Sequence, residues 1–215
     1  MAECATNAGL VLARAGATHA QQRYAIDNPR KFDSYSAHCW GITASEGPGP
    51  ATLRVGNVER EFFDYVARGI PDGPDDGTLA PWAVAASLPF APEIVFPTLD
   101  YCIHHAKLTE FNAYGFKASF NPSHPGASGN PYGWWVSPWH FGLNQGPIVL
   151  MIENHRSGLL WRLMRSCPVH RGRLAARGLH RRVACALKQL PRWYLIQPFS
   201  MGHFSCTGER HDRSE

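Results

Sequence analysis

The residues of this chain best equipped for chemistry are carboxylates set in turns. Glu46 lies in Trp40-Gly-Ile-Thr-Ala-Ser-Glu-Gly-Pro-Gly-Pro50. There Gly47 and Gly49 supply conformational freedom, while Pro48 and Pro50 fix φ and remove amide donors. Such text suits neither a helix nor a sheet interior, so Glu46 is expected on a stiff loop. A carboxylate near an indole is a common beginning of a sugar site. The alternative is a surface loop with one solvated Glu, and spacing alone leaves both open. A second acidic turn, Pro71-Asp-Gly-Pro-Asp-Asp-Gly77, carries Asp72, Asp75 and Asp76. Glu153 stands apart in helical text, three residues before Arg156, where it fits a buried ion pair or a catalyst.

The elements that must position these acids read as helices. An Ala-rich segment from Ala5 to Tyr24 is stopped by Asn28-Pro29, since the residue before proline is pushed out of the α region. Asn57 is a candidate cap for a helix through Arg68, with Val58, Phe62, Tyr65 and Val66 on one stripe. Leu79–Leu88 and Glu93–Lys107 follow, the latter with Pro92 in its first turn and with a kink or a late start expected at Pro97. Between Phe111 and Phe141 the text is rich in Gly, Pro, Ser, Asn and aromatics, which predicts an ordered site loop. Asn144 then caps, and Pro147 opens, a well-buried helix over Ile148–Arg165. This amounts to about six helices with no strand that alternates convincingly, an all-α chain.

Composition narrows the function. The 215 residues suffice for one sizeable core, and the net charge of +4 is modest. The basic excess sits late, at Arg171, Arg173, Arg177, Arg181 and Arg182. That segment lacks interleaved aromatics apart from Trp193 and Tyr194, which disfavours nucleic acid or an acidic membrane as a partner. No apolar run approaches the roughly 18–20 residues of a membrane span. With an acid, Glu3, near the N-terminus and no basic leader region, cytoplasm is the default compartment. The six cysteines form no Cys-x-x-Cys pair, so neither zinc nor redox chemistry is indicated, and no cofactor is expected.

Four phrases, in order, resemble the motifs of one family. They are Trp40-Gly-Ile-Thr-Ala-Ser-Glu-Gly-Pro48; Asp76-Gly-Thr-Leu-Ala-Pro81 with Ser87-Leu-Pro-Phe-Ala-Pro-Glu-Ile94; Tyr114-Gly-Phe116 with Ala118-Ser-Phe-Asn121; and Gly142-Leu-Asn-Gln-Gly-Pro-Ile-Val-Leu-Met-Ile-Glu-Asn154 with Arg156-Ser-Gly158. The chain resembles the glycoamylase-like family, which includes bacterial endo-β-1,2-glucanases, and is similar to the transglycosylating region of cyclic β-1,2-glucan synthases. The likeness runs from about Gln21 to Leu179. Two positions depart from the pattern. Glu46 stands where the family has Asp, and Asn144 stands where members carry Asp or Asn.

The resemblance implies an (α/α)6 barrel, of which this chain matches the C-terminal half. Residues 1–180 would form the partial domain and 181–215 a basic, polar tail. It implies an oligo- or polysaccharide partner, and a missing N-terminal half or a second copy to cover an apolar seam. It further implies glycoside cleavage by a protonated carboxyl and a carboxylate, ~5–5.5 Å apart in retaining enzymes and ~6.5–9.5 Å apart in inverting ones. Glu46, Asp76 and Glu153 are the catalytic candidates, with Glu46 ranked first because loop acids at one end of a helical barrel face the substrate. Trp40, Asp75, Trp134, Trp135, Asn144 and Gln145 are candidate sugar ligands, and Trp139 is a further stacking candidate. Core packing is the competing role for each Trp. A non-catalytic, glycan-binding remnant is the alternative function.

Overall fold

The computed structural model describes residues 2–111 and 113–167. Helices dominate them: α1 (Ala2–Asp27), α2 (Pro81–Ala86), α3 (Pro92–Asp100), α4 (Gly142–Ser157) and α5 (Leu159–Ser166). A π-helical turn, Tyr101–His105, continues α3, and Pro97 lies inside that helix. α1 ends as expected before Asn28, whose φ is positive and whose side-chain amide pins both the N–H and the C=O of Phe32 at 2.8 Å.

The chain is mainly helical, as expected, but two antiparallel hairpins interrupt it where no strand was expected. The first replaces the helix expected from Asn57 to Arg68. Strands β1 (Ala51–Val55) and β2 (Val58–Phe62) pair with Val55 opposite Val58, so Gly56-Asn57 forms a two-residue turn. Gly56 takes φ 61, a value glycine adopts at no steric cost. Ala51, Leu53 and Val55 are half-buried while Thr52 and Arg54 are exposed, the period of a strand. The second hairpin, β3 (Phe120–Pro125) with β4 (Trp134–Val136), lies within the stretch read as a site loop.

The expected helix over Ile148–Arg165 is two helices. Gly158, at φ 66, ends α4 and begins α5. α4 starts earlier than expected, with Phe141 as cap, so Asn144 is its third residue and Pro147 lies inside it. Nor is α4 deeply buried, for Leu143 is 80% and Val149 66% exposed. One side of it packs on α2, with Ile152 against the core, while Leu143, Val149 and Leu150 stay exposed.

The core is built where the end of α1, the loop after it, α2, α3 and β3 meet. Ala25, Phe32, Tyr35, Trp40, Leu79, Val84, Val95 and Phe120 form its centre. Leu79 and Phe120 exchange backbone hydrogen bonds at 2.8 and 2.9 Å, joining the start of α2 to β3. Gly41, at φ 128, lets its chain run against α2, because a Cβ there would stand 2.8 Å from Val84 Cγ2. No described helix is long and apolar enough to cross a membrane. Described Cys39, Cys102 and Cys167 are free thiols. The segment 181–215, with its basic residues, lies outside the described residues.

Candidate functional site

Glu46 leaves the core on a short antiparallel pairing. Ser45 and Val66 exchange two backbone hydrogen bonds of 3.3 Å. Gly47 is obligatory beside them, since a Cβ there would fall 2.2 Å from both Phe63 O and Arg68 Nη2. Two buried serines at the open end of the second hairpin, just before β3 and just after β4, then fix Glu46. Ser119 Oγ donates to its backbone carbonyl at 2.7 Å, and Ser137 Oγ donates to Oε2 at 2.6 Å. The Trp139 N–H donates to Ser137 Oγ at 3.2 Å, which leaves that hydroxyl's proton for the carboxylate. Oε1 of Glu46 has no protein donor among the described residues, and the residue is partly exposed.

The acids at Asp75 and Asp76 are committed differently. Asp76 is 1% exposed and receives Arg68 Nε and Nη2, both at 2.8 Å, in a bidentate pair. The backbone N–H groups of Phe63 and Thr78 complete its shell at 2.9 and 3.1 Å. Burial pushes the Asp76 pKa up, but the hydrogen bonds and charge of Arg68, with Phe63 and Thr78, outweigh it and hold the carboxyl below its ordinary value. Asp75 accepts from Tyr24 OH at 3.0 Å, Tyr35 OH at 2.8 Å and the Gly77 N–H at 3.1 Å. Burial and the Asp75 charge push the Tyr24 pKa up to about 12 and that of Tyr35 well above its usual value. In this structure both carboxylates, expected as catalyst and sugar ligand, are buried and have both oxygens bonded by protein donors.

Glu153 does pair with Arg156, as the three-residue spacing suggests, but the pair is not buried. Its side chain is 37% exposed; Oε1 accepts from Ser157 Oγ at 2.6 Å and Oε2 from Arg156 at 3.1 Å. No bond links it to Glu46 or to the serines that hold Glu46.

The aromatic candidates divide. Trp40 is 2% exposed and belongs to the core, so it offers no face to a sugar. Trp134 is half-buried against the core, and Trp135, its neighbour in β4, pairs with Asn121. Trp139 is 57% exposed, and its carbonyl accepts from the Ala118 N–H at 3.1 Å. Near it, Tyr114 packs edge-on against His140 at 5.9 Å. Burial, with the Lys117 charge, lowers the His140 pKa, which favours its neutral form. Gln145 Nε2 donates to Phe116 O at 2.9 Å, so this amide ties α4 to the segment leading into β3. Asn144 is buried in the first turn of α4. Among the described residues, no group of three or more His, Cys, Asp or Glu is placed to hold a metal ion.

Residues 8–168 match the glycoamylase family, described as putative glucoamylase. The chain belongs to this family. Over 148 residues it is 34% identical to an exo β-1,2-glucooligosaccharide sophorohydrolase (non-reducing end) from Parabacteroides distasonis, covering 68% of this chain and 17% of that protein. A glucoamylase-family crystal structure from Bacteroides uniformis superposes with TM-score 0.58 at 33% identity, covering 74% of this chain and 32% of that one. The endo-β-1,2-glucanase of Chitinophaga pinensis, solved with sophorotriose and glucose, superposes with TM-score 0.55 at 29% identity, covering 72% and 32%. This glycoamylase-family chain therefore spans about a third of the solved relatives and less of the curated one.

Sequence reasoning missed Ser119, Ser137 and Arg68, the groups that set the geometry of this site. The first two act on Glu46 across 73 and 91 residues, a separation no local spacing reveals. Arg68 carried a signal, as a cationic residue among apolar ones near an acidic turn.

Proposed function

We propose that this glycoamylase-family domain acts on a β-linked glucan as a glycoside hydrolase, with β-1,2-glucan as the favoured substrate. One observation carries the reading. Of the four acids taken as catalytic or sugar-binding candidates (Glu46, Asp75, Asp76 and Glu153), Glu46 alone keeps a carboxylate oxygen without a protein donor among the described residues. Its other oxygen is anchored by a buried serine, so the free one has a fixed direction, as catalysis at a sugar carbon or at water requires. Exposed Trp139 is linked to it through the backbone N–H that donates to Ser137, and half-buried Trp135 lies in β4 just before that serine. The names of the relatives support the substrate class, and their lengths support placing these helices as part of a larger (α/α)6 barrel.

In this reading Glu46 is the carboxylate that attacks carbon or activates water, since its bound oxygen already accepts a proton donor from Ser137. Glu153 is the candidate for the proton donor: its bonds to Ser157 and Arg156 lie at a partly exposed surface and can be exchanged. Asp75 and Asp76 hold the frame, while Gln145 ties the start of α4 to the segment before β3.

The test is reducing-sugar release from linear β-1,2-glucan by the purified chain, beside Glu46→Gln and Glu153→Gln. Glu46→Gln keeps the shape and the serine contact and is expected to lower the rate about 100-fold or more. Full activity in Glu46→Gln would overturn the assignment. Saccharide binding without hydrolysis by the unchanged chain would replace the hydrolase with a glycan-binding domain.

A further inference from the structure

We propose that Ser119 is a positioning residue for the reaction, acting on Glu46 through a closed ring of hydrogen bonds that it completes with Ser137. The inference rests on the functional reading above, in which the Glu46 carboxylate does the chemistry. Three bonds form the ring. The Ser119 hydroxyl donates to the Glu46 backbone carbonyl at 2.7 Å, and the Ser137 N–H donates to the Ser119 carbonyl at 3.0 Å. The Ser137 hydroxyl closes it by donating to Glu46 Oε2 at 2.6 Å. Each of the three residues thus bonds both of the others, although they come from distant stretches of the chain.

Both serines are 1% exposed, so water hardly competes for these bonds. The ring is also anchored from outside. Beside Ser119, Phe120 and Leu79 exchange backbone hydrogen bonds, and the Asn121 amide donates to the Asp76 carbonyl and to Thr78 Oγ1, each at 3.0 Å. Glu46 is therefore held at its carbonyl by one serine and at its carboxylate by the other. The torsions between two fixed ends have little freedom, so Oε1 keeps one direction. Losing either hydroxyl releases one end, and the remaining anchor no longer fixes the carboxylate. The ring also sets the length of the acid. Aspartate, the shorter acid of the motif that this stretch resembles, would withdraw the carboxylate by about one carbon–carbon bond, ~1.5 Å. The 2.6 Å contact with Ser137 would then open beyond hydrogen-bond range.

The experiment is steady-state reducing-sugar release from linear β-1,2-glucan by the full chain, beside Ser119→Ala, Ser137→Ala, the double variant and Glu46→Asp. Ser119→Ala should lower kcat about tenfold while KM stays within about twofold, as expected when a reacting group loses its alignment. The double variant should lie within about threefold of the slower single one, because the first loss already opens the ring. Independent structural losses would instead multiply, to about 100-fold. Glu46→Asp should be at least about tenfold slower, and at a partly exposed site it keeps the test open if a serine variant fails to fold. An unchanged kcat in Ser119→Ala, or losses that multiply in the double variant, would overturn the positioning role while leaving Glu46 as the reacting carboxylate. Full activity in Glu46→Asp would likewise overturn the ring. Absence of sugar release by the unchanged chain would overturn the functional reading and the positioning role together.

Discussion

Asp76 and Glu46 both come from glycine-bearing turns, yet the molecule uses them in opposite ways. Asp76 gives both oxygens to the protein, to Arg68, Phe63 and Thr78, with no exposure left. Glu46 gives one oxygen to Ser137 and keeps the other toward solvent. The two are mechanically linked, because Arg68 also donates to the carbonyl of Ser45, the residue before Glu46. A saturated buried pair fixes the backbone on which an unsaturated carboxylate is presented. The contrast shows that counting acids near a pocket is a poor guide to catalysis, and that the number of unclaimed oxygens is a better one.

The strongest way to break this comparison is at the buried pair. Asp76→Asn leaves the Arg68 guanidinium buried without its counter-charge and should cost ~3–5 kcal/mol in urea unfolding, enough to threaten folding of a marginally stable domain. A loss no larger than that of a surface substitution would show that the pair is not structural.

The next effect is on pH dependence, and it has two signs. The folded Asp76 pKa is lowered, so its contribution is complete above the ordinary carboxylate value of about 4 and is lost as pH falls through the folded value. The folded Tyr24 pKa is raised to about 12 and that of Tyr35 is raised too, so their contribution is complete below about 10 and is lost as pH rises toward about 12. Urea midpoints measured across pH should fall at both ends. Tyr24→Phe with Tyr35→Phe should flatten the alkaline fall and leave the acid one. An unchanged alkaline fall would sever the two tyrosines from Asp75.

The smallest effect sharpens the open side. Ser137→Ala removes a buried hydroxyl and should cost about 1 kcal/mol of stability. Because it frees Glu46 to turn, it should lower kcat more than it raises KM, and Ser137→Thr should restore part of the loss. Equal kinetics in Ser137→Ala would remove the serine from the site.

Much of this arrangement was legible from the residues themselves. The glycines and prolines around Glu46 announced a stiff loop, and the structure mounts it as one. Pro81 and Pro92 sit in the first turns of α2 and α3, where fixed φ suits a helix start. The first hairpin is hard to read from sequence because Asn57 also suits a helix cap, although a two-residue Gly-Asn turn between alternating residues is a hairpin signal. Trp40 looked like a platform because indoles serve both surfaces and cores, and only packing separates the roles. The serine clamp on Glu46 was invisible for a different reason. Its bonds join hairpin to loop across most of the chain, and hydroxyl donors carry no periodicity.

The most direct measurement of the central contrast is the unfolding free energy of Glu46→Gln set beside that of Asp76→Asn in the same urea titration. If one carboxylate is presented for chemistry and the other holds the fold, Glu46→Gln should stay within about 1 kcal/mol of the unchanged chain while Asp76→Asn loses at least ~3 kcal/mol. Equal losses in the two variants would contradict the account, because Glu46 would then be as much a structural acid as Asp76.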